Sequence, residues 1–131
     1  MRGQGLLLAG FLILSAGAAQ AAMDFSDYDD EMMRTLDQTV KYFEPDISGK
    51  NSRGATEDAQ ILMEGFKYAE DYFAKKEADG DGVKIAQQGK EYVATALKSV
   101  EQKDFDNAAA AAREAARTCR SCHDAYKVTK K

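Results

Sequence analysis

Apolar residues recur at helical spacing in four stretches of the chain, and residues that break helices collect between them. The first stretch runs from about Ser26 to Phe43. Its Met33, Leu36, Val40 and Phe43 step by three, four and three, which puts them on one helix face. Ser26 or Asp27 suits its N-cap, and Pro45 is expected to end it. Residues 46–55, with Gly, Ser and Asn among them, read as a loop. Thr56 as N-cap, followed by Glu57 and Asp58, opens the second stretch, whose inward stripe is Ala59, Leu62, Met63, Phe66, Ala69 and Phe73. Asp79-Gly80-Asp81-Gly82 reads as a turn and lacks the ligand spacing of a calcium loop. The third stretch runs from about Val83 to Gln102, with Ile85, Tyr92, Val93, Ala96, Leu97 and Val100 inward. The fourth starts between Asp104 and Asn107 and continues to about Lys127. Short connections make sequential helices antiparallel, so the pattern predicts an all-α, up-down-up-down four-helix bundle.

A different pattern precedes the first stretch. Arg2 is followed by an apolar run, Leu6 to Leu14, and then by Ala19-Gln20-Ala21, a small-x-small pattern. Together they read as a signal peptide over residues 1–21 with one domain over 22–131, an exported protein, periplasmic in location. A retained anchor is the alternative, since no charge falls between Gly3 and Ala22, but the strongly apolar part is shorter than the roughly 20 residues that span a bilayer. No later segment is apolar enough to insert in a membrane after cleavage. Losing Arg2 makes the mature chain one unit more negative than the full chain's −4. That balance argues against nucleic acid or anionic lipid as the main partner.

The chain has two cysteines and one histidine, and all three fall in Cys119-Arg120-Ser121-Cys122-His123. On a helix, positions i, i+3 and i+4 occupy adjoining parts of one face. That arrangement suits covalent haem attachment: two thiols add across two vinyl groups, and the imidazole beside the second thiol becomes an axial iron ligand. The fourth stretch's run Ala108–Ala112 favours helix and lets neighbouring helices come close, and it would also give a flat cofactor room against that face. Three rival readings fit less well. A thioredoxin-type motif wants a βαβ context, a structural zinc site wants four ligands, and an i, i+3 disulfide on a helix is strained and leaves the histidine unexplained. With His123 the only histidine, a second imidazole ligand is excluded. The sixth position is left to methionine, another weak donor, water, or nothing.

A Cys-x-x-Cys-His motif on the last of four helices resembles class II c-type cytochromes, the cytochrome c′ and low-spin cytochrome c556 family. The resemblance covers the mature chain in architecture and rests mainly on Cys119-Arg120-Ser121-Cys122-His123-Asp124-Ala125-Tyr126-Lys127. It implies one covalent haem c inside the bundle, bound through Cys119 and Cys122, with His123 on the proximal side of the iron. It assigns Lys127 to a proximal basic position, although a helix-end lysine also arises simply to offset the helix dipole. Tyr126, three residues after His123, reads as core packing near the haem edge. On the distal side, Tyr28-Asp29-Asp30-Glu31-Met32-Met33-Arg34 resembles the first-helix segment in which an aromatic precedes a ligand methionine by five positions. That register selects Met33 as iron ligand, with Met32 the second choice. Helical phase alone does not separate the two, and a helical methionine is commonly core filling. Met63 reads as core. The loop after the second helix is shorter than in dimeric cytochromes c′, which leaves a homodimer an open question.

Two functions follow from the sixth ligand. With His123 and methionine as axial ligands, the chain is a low-spin electron carrier, not an enzyme, and its partners are periplasmic redox proteins. With the site open, it is a five-coordinate module that captures nitric oxide or carbon monoxide. A haem-bearing subunit of a larger redox enzyme is a third reading.

Overall fold

Residues 24–77 and 80–126 are described by a computed structural model; the expected signal peptide and Lys127 lie outside them. Four helices follow in order, α1 (Asp30–Ser48), α2 (Ser52–Lys76), α3 (Asp81–Glu101) and α4 (Phe105–Tyr126), with no strand among the described residues. Each packs on its neighbours in sequence, and α1 also meets α4, which closes the antiparallel four-helix bundle. The α1–α4 seam is the least extensive of the four.

The first helix starts and stops later than its sequence suggests. Asp29, not Ser26 or Asp27, is the N-cap: its Oδ1 accepts from the Glu31 and Met32 backbone N–H groups, each at 3.0 Å. Pro45 does not end the helix and sits inside its last turn. The missing N–H removes one intrahelical bond, but the added turn puts Ile47 in the core beside Phe43. The expected ten-residue loop shrinks to Gly49–Asn51, with Lys50 left-handed at φ 58°. Asn51, rather than Thr56, caps α2 by accepting from the Gly54 N–H at 3.1 Å. Ala55, read as loop from its neighbours, is buried in the extra first turn of α2.

The acidic glycine pair is also only partly a turn. Gly80 is the N-cap of α3, and Asp81 and Gly82 already belong to its first turn. A Cβ at Gly82 would strike the Phe73 ring, and one at Gly89 would strike the Phe66 ring. Both pairs are seven residues apart on their helices, so two phenyl rings of α2 rest on two glycines of α3. At the other end, Ala108, Ala109, Ala111, Ala112 and Ala115 are buried against larger side chains such as Phe43, Ile47 and Val93. The alanine face thus accommodates neighbouring helices. It does not border the cavity described below.

Candidate functional site

Small and apolar residues leave a cavity of about 150 Å³ between the helices, at the end where α1 begins and α4 finishes. Met33, Leu36 and Val40 form its α1 wall, and Leu62, Gly65, Phe66, Ala69 and Phe73 its α2 wall. Ile85 and Ala86 contribute from α3, and Thr118, Cys119, Cys122 and His123 from α4. Phe25 and Tyr28, ahead of α1, complete the lining with Asp30 and Asp37. Gly65 has a steric reason here, because a Cβ would collide with Leu36 from the facing helix.

Four of the residues singled out in the sequence therefore meet at one space: Cys119, Cys122, His123 and Met33. Met32, one residue along the same helix, is not part of the lining. Met63 packs against the core cluster and is likewise off the cavity wall.

Both cysteines are free thiols, half-buried. The Cys119 S–H points back to the Ala115 carbonyl, with Sγ at 3.8 Å from the oxygen. Burial pushes its pKa above the ordinary thiol value, and burial together with the neighbouring Cys119 pushes Cys122 up to about 11. At neutral pH both are neutral thiols, which is the reverse of the depressed pKa of a redox-active Cys-x-x-Cys. Among the described residues, no group of three or more His, Cys, Asp and Glu side chains is arranged to hold a metal ion by itself.

An aromatic cluster that no sequence spacing predicts surrounds the mouth. Phe25 meets Tyr72, Phe73 and Tyr126 with ring centroids 5.9–6.1 Å apart. Tyr28 meets Tyr68 at 5.0 Å and Tyr72 at 4.7 Å, both edge to face. Tyr72 donates to Asp27 Oδ1 at 2.6 Å, and Lys76 pairs with Asp27 Oδ2 at 2.9 Å. Tyr126 stacks on Phe73 at 4.7 Å, and its hydroxyl accepts from the Gly82 N–H at 2.7 Å. The reading of Tyr126 as packing fits this, with an added part in tying the end of α4 to the start of α3. The one concentration visible in the sequence is Phe66, Tyr68, Tyr72 and Phe73 within α2. Residues that converge from 25, 68, 72 and 126 have no shared local pattern.

The cavity fits a covalently held tetrapyrrole in three respects. Its walls are apolar, the two thiols and one imidazole share it, and a methionine stands on a different helix from all three. The volume is below the roughly 300–1,000 Å³ usual for ligand pockets, so the surrounding side chains would have to move outward to admit a whole macrocycle. No helix among the described residues is long and apolar enough to cross a membrane. No protein-family model, curated protein or solved structure matches this chain.

Proposed function

We propose that the chain is an exported monohaem c-type cytochrome that carries electrons, with His123 and Met33 as axial iron ligands. The observation that carries this reading is the common cavity of Cys119, Cys122, His123 and Met33. Cys119 and Cys122 would each add an S–H across a vinyl group. Each S–H is consumed, and the product is an uncharged thioether, at home in an apolar wall that already disfavours thiolate. When bound, haem supplies a one-electron Fe(III)/Fe(II) couple. His123 would hold the iron from α4 and Met33 from α1, while Leu36, Phe66 and Phe73 keep water from it. The partner in this reading is a redox protein that meets the aromatic mouth. Lys127, the remaining residue implied by the resemblance, belongs to the proposal only through its place four residues after His123.

The second reading, a five-coordinate site for nitric oxide or carbon monoxide, draws on the same apolar wall. There Met33 would be only a side chain in the lining. Absorption spectra of the purified protein in both oxidation states, with and without carbon monoxide, separate the two. A low-spin ferric spectrum with slow or absent carbon monoxide binding supports the carrier, whereas a high-spin spectrum with ready binding supports the gas module. Met33→Ala is expected to convert low spin to high spin. If Met33→Ala leaves the spectrum alone and Met32→Ala changes it, the ligand assignment moves to Met32. A purified, exported protein without covalent haem would sink both readings.

A further inference from the structure

Three tyrosines stand together beside the cavity, and two of their hydroxyls have a hydrogen-bond partner. Tyr72 donates to Asp27, and Tyr68 Oη accepts from the Asp29 N–H at 3.2 Å. The third hydroxyl, Tyr28 Oη, is buried and meets no hydrogen-bond partner among the described residues. A buried orphan of this kind is costly and rare in a folded protein. Tyr28 is also among the residues that line the cavity. It cannot relieve the orphan by rotating away, because the Tyr68 and Tyr72 rings hold it edge-on from two sides.

The other polar groups of the lining are committed elsewhere or are of the wrong kind. The Thr118 hydroxyl donates to the Ala115 carbonyl. Asp30 and Asp37, when ionised, only accept hydrogen bonds. In the proposed reading Cys119 and Cys122 have lost their S–H groups, and His123 keeps only the N–H of the ring nitrogen that does not bind iron. Beside that N–H, Tyr28 is the one side chain of the lining with a hydrogen-bond donor to spare. It also keeps that donor at any physiological pH, since burial raises its pKa further above the ordinary phenol value.

We infer that Tyr28 is the polar anchor of the cavity, its phenolic O–H donating to a carboxylate carried on the rim of the bound tetrapyrrole. This rests on the haem reading and goes beyond it, because neither thioether attachment nor iron ligation needs a donor at Tyr28. A carboxylate accepts a stronger bond from a neutral phenol than a neutral acceptor does, and it is the group that apolar walls and two aspartates would otherwise leave unsatisfied.

The test is resonance Raman spectroscopy of the haem-loaded protein in H₂O and in D₂O, on the wild type, Tyr28→Phe and Tyr68→Phe. Tyr28→Phe keeps the ring and its edge contacts and removes only the donor. The wild type should show a carboxylate bending band of the haem that shifts on deuteration. In Tyr28→Phe that band should move and lose its sensitivity to D₂O, and in Tyr68→Phe it should stay as in the wild type. A band unmoved in Tyr28→Phe, or moved equally in Tyr68→Phe, overturns the anchor and leaves the haem reading intact. A wild type without haem overturns both, so the two failures are distinguishable.

Discussion

Asp58 shows what a single residue of this chain does outside the cavity. Its carboxyl faces that of Asp46 across the α1–α2 turn, and burial, then the Asp46 neighbour, push its pKa up to about 6 from the ordinary 3.8. Asp46 is itself held in place by the Asn51 amide, which donates to its Oδ1 at 3.2 Å. A raised carboxyl pKa means that the folded protein binds the proton more tightly than the unfolded chain does. Stability is therefore greatest below about pH 4 as far as this group is concerned, and is lost as pH rises through about 6. Solvent screens the half-exposed pair, so the loss is about 1 kcal/mol. Asp58→Asn should be more stable than the wild type at pH 7.5 by about that amount. Urea midpoints at pH 5 and 7.5 check this; an equal pH slope in both proteins would count against it. Asp58 was legible as a helix-start acid and no more, because its opposition to Asp46 exists only once the loop has shrunk to three residues. The contrast with Cys119, Cys122 and His123 is physical. Their relation is fixed by helical spacing alone, whereas Asp46 and Asp58 depend on where two helices end.

Helix boundaries were the least legible part of the elements, and their faces the most. Every apolar stripe read from spacing lies inside the bundle or on the cavity wall. Boundaries failed where a helix breaker is overruled by burial: Pro45 stays helical because the following turn delivers Ile47 to the core. One glycine misled in the same way. Gly82 reads as turn, yet it and Gly89 are the places where α3 lets α2 come close. Gly89→Ala therefore sets a helix-propensity gain of about 1 kcal/mol against overpacking of about 1–3 kcal/mol. Because the Cβ would meet the Phe66 ring rather than a flexible chain end, overpacking should win. The expected outcome is a net loss of up to about 2 kcal/mol in urea unfolding. A stabilised Gly89→Ala protein would show that the ring moves freely into the cavity.

At the scale of the molecule, the bundle is uneven along its length: close-packed around alanine at one end, aromatic and open at the other. The Cys-x-x-Cys-His motif in the sequence pointed to the fourth helix, but only the closure of α4 on α1 brings His123 and Met33 to one cavity. That closure has a consequence for chain entropy. Met33 and His123 are roughly ninety residues apart, so an iron atom bound by both would be a cross-link around nearly the whole domain, set across its least extensive seam. A permanent link across a loop of that size is worth about 4–5 kcal/mol through the unfolded chain, which is the upper value for a metal–sulfur bond that can open. Met33→Ala in the haem-loaded protein should therefore lose up to about 4 kcal/mol in urea unfolding, beyond its spectral change. A variant within about 1 kcal/mol of the wild type would argue against the link. By the same reasoning, a diatomic ligand that displaced Met33 would act as a mild denaturant: by taking one bond from the iron, it would give back to the unfolded chain the freedom that the first and last helices had together removed.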